Sequence, residues 1–158
     1  MKISAKPDLA KYQLHGEMLV NSYQQLTGKV FPIAAKSSEQ LINDLWKAPF
    51  ALVSHGTEQD PVFNFGNQTA LELFEMDFTD FIQLPSRKSA EPVCQKERDR
   101  LLAQASEFGF IDHYSGVRIS STGTRFLIKN AVVWNLTKSD GEYYGQAAMF
   151  PDWELVSS

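Results

Sequence analysis

The longest strand-like segment of the chain, RFLIKNAVVWNL at residues 125–136, restricts the possible folds more than any other feature. Its even-numbered positions are Phe126, Ile128, Asn130, Val132, Trp134 and Leu136. Side chains at every second position share one face of a strand, so this pattern predicts a strand with one buried face. Asn130 lies in the middle of that face, and a buried amide without hydrogen-bond partners costs roughly 1–3 kcal/mol.

Three explanations of Asn130 are open at this point. Its amide bonds to backbone groups of a neighbouring helix or loop, it contacts a ligand where a pocket opens, or a strand bulge turns it outward. If Asn130 bonds to backbone groups or contacts a ligand, it faces the helices on the same side of the strand as Phe126, Val132 and Trp134.

Two further strand-like segments flank this one, IDHYSGVRIS before it and EYYGQAAMF after it. The separators STG and TKSDG carry the Gly, Ser and Asp-Gly residues that hairpin turns use, so we predict a three-stranded antiparallel meander. An earlier pair, FALVSHG and PVFNFGN, is joined by EQDP and predicts a hairpin-like pair of strands.

Helical patterns occupy the interval between the two groups of strands. Asn67 is the predicted N-cap of QTALELFEM, TDFIQL forms a short turn, and a longer helix runs from Pro92 to a C-terminal cap at Gly109. The intervening LPSRKSAEP is predicted to be an ordered, hydrogen-bonded loop in which Arg87 pairs with Glu91. The alternatives are that it gates the mouth of a pocket or binds a partner.

Two amphipathic helices precede the first strand, one over residues 8–27 and one in SSEQLINDLWKAP. Asp8 and Gly28 are the predicted caps of the first helix, and Ser37 and Gln40 have the spacing of a capping box. Their apolar stripes must cover a surface, either the exposed face of the sheet or the same helices of a partner chain.

We therefore predict an α+β fold: a PAS-like five-stranded antiparallel sheet with helices packed on one face, preceded by two N-terminal helices. Residues 1–48 are assigned to an N-terminal helical extension and residues 49–158 to the PAS-like domain.

Long runs of the sequence resemble the MEKHLA domain family, which is PAS-like. The resemblance rests on SHGTEQDPVFNFGNQTALELFEM, LPSRKSAEP, GVRISSTGTRFLIKNAVVWNL and YYGQAAMF, and it covers roughly Phe50 to Trp153. The N-terminal helices are similar to those that precede this domain in stand-alone bacterial members. The six-letter string that names the family does not occur in this chain.

The resemblance implies a sensory module for a small molecule, light or redox state. Related domains lie at the C-termini of plant class III homeodomain-leucine zipper proteins. This chain carries neither a homeodomain nor a sustained heptad zipper, so the resemblance brings no DNA-binding role, and it brings no catalytic residue.

Composition excludes several classes of partner. The net charge of −4 gives no overall basic field for nucleic acid. A single cysteine, Cys94, cannot form an intramolecular disulfide and fits a reducing cytoplasm. The N-terminus lacks the apolar core of a signal peptide, and no run approaches about 18 apolar residues, so we expect a cytoplasmic protein with no membrane partner.

A PAS pocket lies between the sheet and the middle helices, and such pockets are mostly apolar with a few polar groups. The residues expected to line it are Phe63, Phe65, Phe74, Phe78, Arg118, Asn130, Trp134, Tyr144 and Gln146. The alternative is that the aromatic side chains simply fill the core.

The sequence identifies no cofactor. A flavin of the cysteine-adduct type is disfavoured because NQTALELFEM has no cysteine, and haem is disfavoured because VCQKERDRLLAQASEF has no histidine. The three histidines have no metal-ligand spacing, so no metal site is expected. A possible polar site comprises His55, Asp112 and His113, since His55 and Asp112 would meet if the first and third strands approached each other.

Three functions remain in view. The first is a PAS-like sensory module that binds an unidentified small molecule and forms a homodimer through its N-terminal helices. The second is a ligand-free protein-interaction module. The third is a small-molecule enzyme in which Asp112 holds His55 as a general base.

Overall fold

Five α-helices, two short 3-10 turns and six strands make up residues 6–156, the part of the chain that this computed structural model describes. In chain order they are the 3-10 turn Leu9–Tyr12, α1 Gln13–Thr27, α2 Ser38–Lys47, β1 Ala51–His55, β2 Phe63–Gly66, α3 Gln68–Phe74, α4 Phe78–Phe81, the 3-10 turn Ser86–Ser89, α5 Pro92–Phe108, β3 Phe110–Ile119, β4 Arg125–Thr137, β5 Tyr143–Phe150 and β6 Asp152–Leu155.

All strands belong to one antiparallel sheet. The order is β2-β1-β5-β4-β3, and β6 pairs with β4 beyond the end of β5. The predicted α+β fold and its five strands are confirmed. The sixth strand, β6, was not predicted, because four residues after Pro151 give too short an alternation to recognise.

Helices cover both faces of the sheet. On one face α1 packs along β4, where Trp134 Nε1 donates to Leu19 O over 3.1 Å and Thr137 N donates to Ser22 Oγ over 3.1 Å. On the other face α5 accepts a 3.1 Å bond at Leu102 O from Gln146 Nε2 of β5. Of the two surfaces predicted for the N-terminal helices, α1 therefore covers the sheet of its own chain, and α2 packs against α1.

Asn130 lies at a bulge, and the bulge explanation is the correct one of the three. Its φ of 56° is left-handed, a conformation that Asn adopts more readily than most residues, and its side chain is exposed. The amide Nδ2 lies 3.2 Å from Asp152 Oδ2. The prediction of Asn130 on the buried face is wrong, because period two holds only while no residue is inserted.

The inserted residue changes the facing of the remainder of β4. Phe126 and Ile128 face α3 and α5, whereas Trp134 faces α1. Neighbouring β3 carries its own irregularity at His113, with φ 54°, so the pairing of β3 with β4 shifts and then returns to its original register.

The predicted caps are present, with one change of partner. Ser37 Oγ accepts from Gln40 N over 3.1 Å, but Gln40 Oε1 accepts from Lys36 N, one residue earlier than in a capping box. Gly28 and Gly109 end α1 and α5 with φ of 71° and 96°. Asp8 Oδ1 accepts from Ala10 N.

The predicted pair of Arg87 with Glu91 is wrong. Arg87 pairs with Asp60 over 3.2 Å, and Glu91 accepts from Arg125 Nη2 over 2.9 Å. The chain becomes extended at Ala90, so residues 87 and 91 do not share one face as they would in a continuous helix.

Asn67 is fully buried and joins four segments. Its Oδ1 accepts from Leu52 N of β1 over 3.0 Å and from Ala70 N of α3 over 3.1 Å. Its Nδ2 donates to Leu45 O of α2 over 3.0 Å and to Phe50 O over 2.9 Å. A side-chain amide has two donors and two principal acceptor sites, so this one is completely satisfied.

Replacing Asn67 measures how much its side-chain amide contributes to the free energy of unfolding. We expect Asn67→Ala to lower the free energy of unfolding by about 3 kcal/mol, because four backbone groups beside it lose a buried hydrogen bond. Urea unfolding followed by circular dichroism measures the loss. Asn43→Ala, which removes an exposed bond from Asn43 Nδ2 to Glu39 O, is the matched control and should cost under about 1 kcal/mol. Equal losses in the two variants would contradict the assignment.

Candidate functional site

A small cavity lies between the sheet and helices α3 and α5. Its volume is about 50 Å³. Apolar side chains from β1, β2, α3, β4 and β5 form most of its wall, and six polar residues and a tyrosine complete it. The lining residues are Val53, Ser54, His55, Phe63, Phe74, Ser89, Arg98, Leu102, Tyr114, Arg118, Ile128, Val133, Gln146, Ala147, Ala148 and Phe150.

Two of the polar residues are buried arginines. Arg118 of β3 donates from Nη2 to Tyr114 Oη over 2.5 Å and from Nη1 to Val117 O over 2.9 Å. Arg98 of α5 donates from Nη2 to Ser86 Oγ over 2.7 Å and from Nη1 to Asp99 Oδ1 over 3.1 Å. Burial, and next the charge of Arg118, lowers the pKa of Arg98. Both guanidinium groups belong to residues that line the cavity.

His55 ends β1 at the wall of the cavity. Its Nδ1 lies 3.0 Å from Gly56 O, and a carbonyl oxygen only accepts, so Nδ1 carries the proton. Nε2 is buried and has no hydrogen-bond partner among residues 6–156. Burial lowers the pKa of His55 against smaller opposing effects of the Gly56 carbonyl and the Gln146 side chain, and this favours the neutral ring with a free lone pair on Nε2.

Gln146 connects the sheet to α5 at the same wall. Besides its bond to Leu102 O, its Nε2 donates to Asn135 Oδ1 over 3.1 Å. Beyond this wall lies an outer cleft of about 440 Å³, bounded by residues 56–61, the Ser86–Ser89 turn and α5. The outer cleft and the inner cavity share His55, Arg98, Leu102 and Gln146.

The residues expected to line one pocket are divided between the two faces of the sheet. Phe63, Phe74, Arg118 and Gln146 line the cavity, together with His55. Phe65 and Phe78 pack against Tyr12, Tyr144 against His15, and Trp134 against Tyr23, all on the face covered by the N-terminal segment. Asn130 is exposed at its bulge.

Arg98, Ser89 and Tyr114 belong to the cavity but were not singled out from the sequence. In the sequence Arg98 lies in a run with Lys96 and Arg100, a charge pattern typical of a solvated helix face. Its spacing from Leu102 and Ala105, four and seven residues, places all three on one helical face, and this was the available signal.

The predicted pairing of His55 with Asp112 is wrong. β5 and β4 lie between β1 and β3, so three inter-strand steps, roughly 14 Å, separate the two strands. Asp112 and His113 are both exposed at the irregularity in β3. Because this strand order separates the two residues, Asp112 cannot hold His55 as a general base.

A second buried histidine, His15, lies on the other face of the sheet. Its Nε2 donates to Ser54 Oγ over 2.9 Å, and Ser54 Oγ donates to Asn64 Oδ1 over 2.5 Å. The rings of Phe65 and Tyr144 pack beside it. Burial lowers the pKa of His15 to about 4, so the ring is neutral at physiological pH.

Within residues 6–156 there is no cluster of three or more His, Cys, Asp or Glu side chains that could hold a metal ion. The same part of the chain contains no helix long and apolar enough to cross a membrane.

The strand order and the helices inserted between β2 and β3 define the class of protein as PAS-like. The PAS domain of a protein from Colwellia psychrerythraea aligns with 72% of this chain and 94% of its own, with a TM-score of 0.63 and 11% identity. A Light-Oxygen-Voltage domain studied with a flavin analogue aligns with 75% of this chain and 85% of its own, with a TM-score of 0.59 and 15% identity. At these identities the likeness establishes the fold alone.

The sequence comparison then identifies the family. The MEKHLA domain model matches residues 13–155, so the chain belongs to the MEKHLA domain family. The homeobox-leucine zipper protein ATHB-14 of Arabidopsis thaliana is 27% identical over 122 residues, which is 76% of this chain. HOX9 of Oryza sativa subsp. indica is 24% identical over 151 residues, or 95% of this chain.

The chain spans 14% and 17% of the length of these two curated relatives. The family match includes α1 and α2, which the predicted boundary after residue 48 assigns to an extension. That boundary stays a prediction.

The low pKa of His15 sets a direction for the pH dependence of stability. The unfolded chain binds this proton near pH 6.5 and the folded chain only near 4, so stability falls as the pH drops between these values. We expect His15 to contribute a loss of about 2 kcal/mol between pH 7 and pH 5. The lowered pKa of His55 acts in the same direction.

Urea unfolding at both pH values, with NMR of the His15 ring, measures this effect. His15→Gln keeps a donor toward Ser54 but cannot titrate, so it should lose that part of the pH dependence. A His15 ring that titrates near pH 6.5 in the folded protein would contradict the expectation.

Proposed function

We propose that the chain is a sensory module that binds a small molecule in the inner cavity. The observation that carries this proposal is His55 Nε2, a buried acceptor without a partner among residues 6–156, on a residue that lines the cavity between the sheet and α5. A buried polar atom without a partner is costly, and a bound molecule with a donor group would satisfy it. The PAS fold and the likeness to a Light-Oxygen-Voltage domain support the same assignment.

The cavity size favours a ligand of few atoms. Pockets for drug-sized molecules have volumes of about 300–1,000 Å³, well above the 50 Å³ of the inner cavity. The structural neighbour named for its flavin analogue therefore offers a model for the fold rather than for the ligand. The small volume also favours, as a second candidate, a ligand-free interaction module.

The sheet provides a route from the cavity to α1. On β5, Gln146 faces α5, and the next residue, Ala147, pairs with Trp134, whose ring nitrogen bonds to α1. A ligand that prefers one arrangement of β4 and β5 would shift the packing of α1, since it acts through its difference in affinity between two states.

A cavity-filling substitution tests the ligand proposal. We expect native mass spectrometry of the purified protein to detect a retained small molecule, and Ala148→Leu to abolish that retention because the added carbons occupy the cavity. Ala10→Leu, at an exposed position, is the matched control and should retain it. No bound molecule, with a melting temperature unchanged by a panel of metabolites, would favour the interaction module instead.

We also propose that the N-terminal helices mediate a homodimer. The inner side of α1 is occupied by the sheet, but Leu14 on its outer side is 78% exposed and borders a groove of about 560 Å³ beside the β4–β5 turn. A second copy of α1 would cover this side chain.

Light scattering tests the dimer. We expect a dimer mass at micromolar concentration for the native chain and a monomer mass for Leu14→Glu, because an interfacial carboxylate would be desolvated. Leu155→Glu, at an equally exposed leucine on β6, should remain dimeric. A monomer mass for the native chain would overturn the proposal.

A further inference from the structure

The charges around the inner cavity are unbalanced. Arg98 approaches it from α5 and Arg118 from β3, and within residues 6–156 no Asp or Glu lines it. The exposed fractions of the two arginines are only 7% and 8%. A buried charge is costly unless it is paired, so two buried cations around a space without an acid favour an anion within it.

The hydrogen-bond partners of the two guanidinium groups do not neutralise their positive charges. Arg118 bonds only to a phenol and a carbonyl oxygen, and no carboxylate among residues 6–156 lies within ion-pair distance of it. Arg98 has one acidic partner, Asp99, whose side chain is 66% exposed and therefore screened by water.

His55 adds a second chemical requirement at the same wall. With its proton on Nδ1, the neutral ring presents a lone pair at Nε2 and accepts a hydrogen bond. A carboxylate alone offers no donor to this atom, whereas a hydroxyl group does. The remainder of the wall is apolar, with Ile128, Val133 and Phe150 among its residues, and suits a short aliphatic carbon rather than an anion surrounded by oxygens.

The volume limits the size of the molecule. A cavity needs about 10–15 Å³ on this measure to hold one water molecule, so 50 Å³ takes roughly four such units. At about one non-hydrogen atom per unit, the cavity suits a molecule of roughly four or five non-hydrogen atoms.

From these observations we infer that the inner cavity binds a small aliphatic hydroxy-carboxylate. Its carboxylate lies between the guanidinium groups of Arg98 and Arg118, a geometry that Arg favours for carboxylates. Its hydroxyl donates to His55 Nε2. This inference rests on the proposed function, because it names the ligand class of the same cavity.

Three probes that differ by one group test the ligand class. Glycolate has both the carboxylate and the hydroxyl, acetate lacks the hydroxyl, and glycolamide lacks the charge. We expect glycolate to raise the melting temperature of the native protein with increasing concentration, and to bind at least tenfold more tightly than acetate or glycolamide. Glycolamide or acetate equal to glycolate would overturn the inference, and so would inorganic phosphate equal to glycolate.

A charge-removing variant and a spectroscopic signal locate the binding. Arg118→Met should weaken glycolate binding at least tenfold, whereas Arg100→Met, at an exposed arginine of α5, should not change it. In ¹⁵N NMR of the native protein, glycolate should shift the side-chain amide signals of Gln146 and leave those of Asn67 unchanged. This readout stays decisive if the Arg118 variant does not fold, and unshifted Gln146 signals would overturn the inference.

The outcomes separate this inference from the proposed function. A neutral molecule retained by the native protein and displaced by Ala148→Leu, with no response to glycolate, overturns the anion and leaves the sensory module in place. No retained molecule and no response to any probe overturns both.

Discussion

The buried amide of Asn67 is the interaction on which the remainder of the structure depends. It is the N-cap of α3, and it also fixes the end of α2 and the start of β1 through backbone bonds. Once these segments are joined, β1 supplies Val53 and His55 to the cavity wall and α3 supplies Phe74. One side chain thus determines how the N-terminal helices, the sheet and the middle helices meet.

The sheet divides the interior into two chemically different halves. Towards α5 it presents Arg118, a histidine and an amide around a cavity that Arg98 of α5 completes. Towards α1 it presents aromatic rings and Ser54, which bonds to the neutral His15 of α1. The alternation of side chains along β4 and β5 connects the halves, because successive residues contact opposite layers. Both layers must therefore respond to any movement of these two central strands.

Local patterns of the sequence predicted the helices and strands well, but they predicted less well which residues lie next to one another in the folded chain. Caps, turns and apolar alternation are local, so the helices, the five main strands and the PAS-like fold followed from them. The facing of Trp134 did not, because one inserted residue at Asn130 reverses every later side chain of β4. The error in pairing His55 with Asp112 came from strand order, which no local pattern specifies. Arg98 was missed because charge alone resembles a solvated face, and only the residues opposite α5 make it a cavity residue.

The two irregularities on β3 and β4 restrict where a residue can be inserted into or deleted from these strands. Between Ile111 and Tyr114 the extra residue is on β3, and between Ile128 and Ala131 it is on β4, so the offsets cancel. Deleting either one alone would leave the strands out of phase by one residue and would move the core side chains of one strand to the wrong layer. Gain or loss of one residue here is structurally neutral only when both strands change together, so β3 and β4 are constrained as a pair during divergence.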